Sequence, residues 1–167
     1  MTDHSRRRLL SLLPAAVPVA GLLAVAAPLP ASAWILEPAT ASVRRYLDAL
    51  TRLDFDAMLD EVAEDVVVLL PPAPEGLPRR IEGKANLAAF LPLLGTLWTE
   101  IEFSTPDVRG ERDRDRVVAE YTAVGTFTNG QPYHQTYANL FRVHDCKIVE
   151  TKEFFDPIAV LAGMAPA

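Results

Sequence analysis

The spacing of apolar residues predicts three helices in the first half of the chain. A repeat every three to four positions indicates an amphipathic helix over Thr40–Arg52, whose apolar positions are Val43, Tyr46, Leu47, Leu50 and Leu53. Asp54 can cap a short second helix, whose core-facing positions are Phe55, Met58, Leu59 and Val62. A third helix is predicted in EGKANLAAFLPLLG, where we expect Pro92 to end or kink it.

The apolar period later changes to two, which is typical of strands. The β-branched run DVVVLLPP predicts a buried strand that ends at its prolines, followed by a proline-rich loop. Beyond Thr99 we predict four consecutive antiparallel strands, with a solvated charged turn at GERDRDR and a hairpin turn at Asn129-Gly130. The last strand, KIVETKEFFDP, mixes polar and apolar residues on both faces.

This order of elements predicts a single α+β domain. Helices that precede a meander of antiparallel strands pack together on one face of the sheet. We therefore expect three N-terminal helices packed on a strongly curved, mostly antiparallel sheet. A pocket enclosed between these two layers is the expected place of function.

Composition agrees with one globular domain. The chain has 167 residues, of which 50% are hydrophobic, and a formal net charge of −6. The acidic balance argues against nucleic acid as a partner, because phosphate binding favours a basic surface. Cys146 is the one cysteine, so the chain has no internal disulfide, and the histidines show no zinc-like spacing. We expect no metal and no organic cofactor.

Residues 1–33 differ from the rest and are typical of an export signal. SRRRLL resembles the twin-arginine type, an apolar run follows it, and Ala31-Ser32-Ala33 provides a small-residue cleavage site. We expect cleavage there, which leaves residues 34–167 as one exported domain (core about 40–160), periplasmic or secreted and free of the membrane. An uncleaved anchor is the alternative, and N-terminal sequencing that finds Met1 in a membrane fraction would overturn cleavage.

Three segments carry a family resemblance: RRYLDALTRLDFDAMLDEVAEDVVV, NGQPYHQTYANLFRV and KIVETKEFFDP. In order and spacing they resemble the SnoaL-like branch of the nuclear transport factor 2-like superfamily, over about residues 40–160. The resemblance implies a cone of bent sheet and helices around a deep pocket, often dimeric through the sheet. It does not imply one function, because the superfamily contains isomerases, cyclases, epoxide hydrolases and noncatalytic binding domains.

The resemblance also implies roles for individual residues. In ketosteroid isomerase relatives a tyrosine of the first helix enters the pocket, and Tyr46 matches it. Asn139 matches an acidic hydrogen-bond donor of the sheet. Leu70 matches the general-base aspartate and cannot take a proton, so steroid isomerisation by that mechanism is not expected. The last segment is similar to the phenazine-biosynthesis A/B proteins, in which a glutamate that matches Glu153 is thought to act as acid and base.

The register implied by the resemblance assigns one face of each strand to the pocket. On the long strand it turns inward Glu120, Thr122, Val124 and Thr126. On the next strand it turns inward Tyr137, Asn139 and Phe141. On the last strand it turns inward Val149, Thr151, Glu153 and Phe155. The outer face, partly covered by a second subunit, would carry Ile148, Glu150, Lys152 and Phe154.

The candidate catalytic residues each have a functional and a structural interpretation. Glu153, buried beside Phe155 and close to Glu120, would have a raised pKa suited to acid/base work. Alternatively, Glu153 is a strand residue satisfied by a neighbour. Asn139 either orients a ligand carbonyl or fixes strand register. Tyr46 either directs its hydroxyl at a ligand or packs in the core.

The remaining candidates are expected to shape the pocket. Tyr137 and Trp98 form walls that can stack on a planar ligand. Substrate contacts are predicted for Glu120, Thr122, Tyr137, Phe141, Thr151, Phe155 and Trp98. Glu120 is alternatively an ion-pair partner of Arg142 or Lys152. Residues expected elsewhere are the surface residue His134, the loop cap Asp156 and the exposed turn thiol Cys146.

These expectations combine into a function. We expect a homodimeric domain that binds a small hydrophobic or aromatic molecule and isomerises, cyclises or condenses it, with Glu153 moving the proton and Asn139 and Tyr46 orienting the ligand. The rival is a noncatalytic ligand-binding or dimerisation module, so enzyme activity itself stays open. Epoxide hydrolysis ranks third, because it requires an Asp-Arg-Asp set that activates water, and no arginine is predicted to face the pocket.

Overall fold

The computed structural model describes residues 31–111 and 115–164, with side chains from residue 38 onward. The described part contains four helices: α1 (Ala31–Thr51), α2 (Phe55–Asp60), α3 (Lys84–Gly95) and α4 (Pro157–Met164). The same part contains seven strands: β1 (Val62–Leu69), β2 (Arg80–Glu82), β3 (Trp98–Phe103), β4 (Asp107–Gly110), β5 (Arg116–Phe127), β6 (Pro132–His144) and β7 (Lys147–Phe154). Among these residues, no helix is long and apolar enough to span a membrane.

Most of the predicted export signal, residues 1–30, lies outside the described residues. The signal and its cleavage therefore stay predictions. The centre of the predicted charged turn, 112–114, lies outside them as well.

The N-terminal helices form where the apolar spacing predicts them. α1 starts earlier than predicted and buries Val43 and Leu47 completely in the core. The chain leaves α1 through Leu53, which has a left-handed backbone (φ 53°). The Asp54 carboxylate then accepts a hydrogen bond from the Ala57 N–H (3.1 Å), which confirms it as the cap of α2.

One curved sheet carries the site. Its strand order is β2-β1-β7-β6-β5-β3, with β4 also paired to β5. Among the described strands, β1 and β7 alone run parallel, so the predicted mostly antiparallel α+β fold is confirmed. The ladders shift register within β1, at Thr99 in β3 and at Val149 in β7. Such bulges bend a sheet, and helices α1–α3 pack on its concave side.

Some elements differ from the sequence prediction, which includes neither β2, β4 nor α4. β2 and β4 have three and four residues, too few to show a period. α4 is apolar on all sides (PIAVLAGM), so it has no helical stripe to detect. α3 continues through Pro92, which is exposed, so the proline does not end the helix.

The convex face of the sheet mixes apolar and charged side chains. It exposes Val124, Leu140 and Phe154 beside an ion pair between Arg142 and Glu150 (3.4 Å). Exposed apolar side chains of this kind occur at interfaces. Pairing of two copies through this face stays a prediction.

The turn between β6 and β7 has an uncommon backbone. Asp145 and Cys146 both have positive φ (47° and 59°), a conformation that favours glycine or asparagine. Cys146 is exposed there, as predicted. The buried Ser42 of α1 stabilises the turn by donating its hydroxyl to the Cys146 carbonyl oxygen (2.8 Å).

Candidate functional site

A cavity of about 120 Å³ lies between the helices and the concave side of the sheet. Leucines of α1 and α3 form one wall, and aromatic rings of the strands form the other. Its polar groups come from Glu153, Tyr46, Tyr121, Tyr133, Tyr137 and Trp98. This volume is smaller than that of a dry cavity of about 150 Å³ that binds benzene, so it limits a ligand to about one ring. Among the described residues, no cluster of His, Cys, Asp or Glu could hold a metal ion.

The bulge in β7 decides which side chains face the cavity. Ile148 is fully buried on the concave side, and Val149 is an extra residue in the ladder. Past that residue the period resumes, so Thr151 faces inward and Glu153 lies opposite Asn139. The predicted order, with Ile148 outside and Val149 inside, is therefore wrong. KIVETKEFFDP mixes polar and apolar residues on both faces because the alternation of inward and outward side chains shifts by one residue at Val149.

Within the described part of the chain, one hydrogen bond holds the Glu153 carboxyl beside apolar groups. The Asn139 Nδ2 group donates to Glu153 Oε2 (3.0 Å) and to Tyr121 Oη (3.0 Å). Burial raises the pKa of Glu153 from 4.5 to about 7, while the hydrogen bond from Asn139 lowers it. A carboxyl whose pKa is close to neutrality can both accept and release a proton.

Asn139 can serve both protonation states of that carboxyl. Its Oδ1 atom is buried, and within the described residues it has no hydrogen-bond partner. A half-turn of the amide would let Oδ1 accept a hydrogen bond from protonated Glu153. The amide therefore matches a carboxyl that gains and loses a proton.

The four phenols of the cavity keep their protons. Burial raises the pKa of Tyr133 to about 12, and it holds the pKa values of Tyr46, Tyr121 and Tyr137 above the ordinary range. The charge of Glu153 adds to the rise in each case. Neutral phenols donate hydrogen bonds, so the cavity is rich in donors.

α4 closes one side of the cavity, where Val160 contributes to the lining. The Asp156 carboxylate accepts a hydrogen bond from the Ile158 N–H (2.9 Å), which confirms its predicted capping role. The Gln135 amide bonds both the N–H (2.8 Å) and the carbonyl (2.9 Å) of Asp156. At the other end, Asn129 Nδ2 donates to the Ala162 carbonyl (3.0 Å). A side chain of β6 and a side chain of the β5–β6 turn thus hold the two ends of the helix.

The match to a protein-family model decides which family the chain belongs to. The model of a SnoaL-like domain matches residues 43–151. The chain belongs to the SnoaL-like domain family. A curated relative of this SnoaL-like domain, the uncharacterized protein YesE of Bacillus subtilis strain 168, is 29% identical over 125 residues, which are 74% of this chain and 85% of the relative.

Solved structures share the fold of this SnoaL-like domain. A proposed isomerase from Bacillus subtilis has a TM-score of 0.72 and 27% identity, covering 80% of this chain and 96% of its own. A proposed polyketide cyclase from Xanthomonas campestris pv. campestris has a TM-score of 0.68 and 27% identity, covering 78% of this chain and 99% of its own. The resemblance to the SnoaL-like branch of the superfamily is thereby confirmed.

The SnoaL-like domain brings half of the predicted site residues to the cavity wall. The predicted residues that line it are Tyr46, Trp98, Tyr137, Glu153 and Phe155. Those buried behind the lining are Asn139, Phe141 and Thr151. From that place Asn139 reaches Glu153, so we expect it to position the carboxyl rather than to touch a ligand.

The predicted contacts Glu120 and Thr122 are wrong, because both side chains face solvent. The concave side of β5 instead carries the odd-numbered residues, including the buried Tyr121. Glu120 pairs with Ala138 on the convex side, so it does not lie beside Glu153. A shift of one residue turns every side chain of a strand to the other face, which affects Glu120, Thr122, Val124 and Thr126.

Two cavity tyrosines are absent from the predicted site. Tyr121 is signalled by the plain alternation of VVAEYTAVGTF, in which the odd positions are the more apolar. Tyr133 shares the strict alternation of β6 with Tyr137 and Asn139. Trp98 reaches the cavity through the bulge at Thr99, which no period reveals.

Asn139→Leu is expected to raise the pKa of Glu153 further above 7. The substitution removes the N–H that stabilises the ionised carboxylate and keeps a similar volume. A hydrogen bond to a charged group contributes about 1.5–3 kcal/mol, which corresponds to about one to two pH units. A 13C NMR titration of the Glu153 carboxyl measures the change, with Thr151→Val as the buried control. An unchanged or lowered pKa would show that Asn139 does not stabilise the anion.

Proposed function

We propose that this SnoaL-like domain is an acid/base enzyme that isomerises or cyclises a small, neutral, ring-containing molecule. The observation that carries the proposal is one carboxyl, Glu153, with a pKa of about 7 at the wall of a cavity that holds no other carboxyl among its lining residues. Carboxyls perturbed in this way are typical of acid/base sites. The similarity to a proposed isomerase and a proposed polyketide cyclase supports the same class of reaction.

The chemistry needs no group beyond the carboxyl and a conjugated ligand. Ionised Glu153 takes a proton from a ligand carbon, and the electron pair of that C–H bond moves into the conjugated system. The carboxyl then returns the proton to another carbon, which gives an isomer. Alternatively, the carbanion attacks a carbonyl carbon of the same ligand, the π electrons of that C=O bond move to its oxygen, and the oxygen takes the proton from Glu153, which closes a ring. The apolar walls exclude water from the charged intermediate. Asn139 aims the carboxyl, and Tyr46 offers a hydroxyl from α1.

Hydrogen exchange tests this proposal directly. The protein is incubated in D2O with a panel of single-ring ketones that can enolise, and 1H NMR follows the loss of the C–H signals beside the carbonyl. We expect exchange above the buffer rate for at least one ketone. Ketones that bind without any exchange would overturn acid/base catalysis.

A noncatalytic ligand-binding domain is the second candidate. It is favoured by the position of Asn139 behind the lining, because a residue predicted to orient the ligand then does not touch it. In this case the carboxyl serves ligand selection rather than proton transfer. Binding without exchange in the same experiment would be its signature.

A further inference from the structure

Tyr133 and Tyr137 form a hydroxyl pair at the strand wall of the cavity. They lie four positions apart on the concave side of β6, and their hydroxyl groups are hydrogen-bonded to each other. Both rings are fixed by aromatic neighbours. Tyr133 packs against Phe127 (4.9 Å between ring centroids) and Trp98 (5.3 Å), and Tyr137 stacks on Tyr121 (4.8 Å).

The bond between the two hydroxyls uses one of their two protons. The hydroxyl that accepts this bond keeps a proton of its own. The Gln135 side chain is also hydrogen-bonded to the Tyr133 hydroxyl and lowers the pKa of Tyr133, as a donor does, so this bond takes no proton from the pair. Burial keeps both phenols neutral, because it raises the pKa of each. The pair therefore always has one donor left for the cavity.

Donors exceed acceptors in this cavity. Within the described part of the chain, the Tyr46 hydroxyl has no hydrogen-bond partner, and the Tyr121 hydroxyl accepts one bond from Asn139. The carboxyl of Glu153 is the one strong acceptor among the lining side chains. Because an unmade hydrogen bond of a buried donor costs free energy, a neutral ligand with an accepting oxygen would bind here better than a hydrocarbon of the same shape.

We propose that the Tyr133–Tyr137 pair is an oxygen-binding subsite that makes the domain selective for neutral ring compounds bearing a carbonyl oxygen, which becomes an enolate oxygen during the reaction. This rests on the proposed function, since it names the substrate class of the same cavity. When Glu153 takes a proton from the carbon beside the carbonyl, the electron pair of the C–H bond forms the enolate, and its oxygen accepts the spare hydroxyl proton as a hydrogen bond. Return of the proton to carbon restores the carbonyl.

A binding experiment without turnover tests the subsite. In the Glu153→Gln background, which removes the charge that would repel an anion, 4-nitrophenolate and nitrobenzene are titrated by calorimetry. The Tyr133→Phe/Tyr137→Phe double substitution is added to that background. Because it replaces both partners of one bond, the fold is expected to persist. We expect it to weaken 4-nitrophenolate binding by about tenfold or more and to leave nitrobenzene binding unchanged.

Tyr121→Phe in the same background is the matched control, since its hydroxyl already accepts from Asn139. We expect it to change the affinity ratio of the two probes less than the double substitution does. Equal losses for both probes, or an unchanged ratio in the double variant, would overturn the oxygen subsite alone. If neither probe binds before any tyrosine is changed, the cavity does not take a single ring, and the proposed function falls as well.

Discussion

Glu153→Gln is expected to lower the rate of ketone exchange by about 10²–10⁴-fold, the usual range for loss of a general acid/base. Glutamine has the shape of the carboxyl but cannot move a proton. It remains within reach of Asn139, so the cavity and its affinity for a neutral ring are expected to persist. 1H NMR exchange rates and calorimetric titration with the same ketone separate the two effects.

Glu150→Gln is the matched control for this substitution. Glu150 lies on the same strand but on the convex side, where it pairs with Arg142 (3.4 Å). Its replacement is expected to leave the exchange rate unchanged. A Glu153→Gln variant with the wild-type rate would exclude Glu153 as the base.

Glu153→Gln is also expected to remove a pH dependence of the free energy of unfolding. The pKa of Glu153 is about 7 in the folded chain against 4.5 ordinarily, so between these values the folded chain holds a proton that the unfolded chain has lost. The free energy of unfolding therefore falls as pH rises through this window, by about 3 kcal/mol in total. Urea unfolding of both proteins between pH 4 and pH 8 measures it. Parallel pH curves for the two proteins would contradict the raised pKa.

Gly125→Ala is expected to lower the free energy of unfolding by about 3 kcal/mol, the upper range for overpacking. A Cβ at this position of β5 would overlap the carbonyl oxygen of Glu100 and lie 3.1 Å from Cα of Ile101. Both are backbone atoms of β3 that cannot rotate away. They come so close because the bulge at Thr99 bends β3 toward its partner.

Gly130→Ala separates this steric conflict from an ordinary glycine effect. Gly130 has a positive φ (82°) in the hairpin turn, but a Cβ there would meet no atom within 4 Å. Its replacement is expected to cost about 1 kcal/mol, from backbone strain alone. Equal losses in urea unfolding for the two variants would show that β3 moves freely away from Gly125.

The fold follows from the sequence wherever the apolar period is long and uniform. α1 and β6 have such periods, so the helix and the concave face with Tyr137 and Asn139 are predictable. β5 has one as well, and its alternation places Tyr121 on the concave face. The register implied by the resemblance would instead bury the carboxylate of Glu120, at a large cost in desolvation.

Only part of the candidate site is predictable from the sequence. An inward acid at Glu153 follows from the resemblance, yet the neighbour expected to raise its pKa, Glu120, lies on the other side of the sheet. Burial alone raises that pKa. Bulges in β3 and β7 turn the side chains of Trp98 and Glu153 toward the cavity. A bulge can be recognised only when the pairing with the partner strand is known, so the sequence alone does not reveal it.

The extra residue in β7 makes that strand tolerant of shortening but not of lengthening. If Val149 were deleted, Glu150 would follow Ile148 directly in the ladder, and Glu153 would still lie opposite Asn139. A residue inserted between Thr151 and Glu153 would instead turn the carboxyl to the convex face. Related chains can therefore differ in length ahead of the acid and keep the same chemistry, whereas a gain of one residue beside it would abolish the site with every side chain still present.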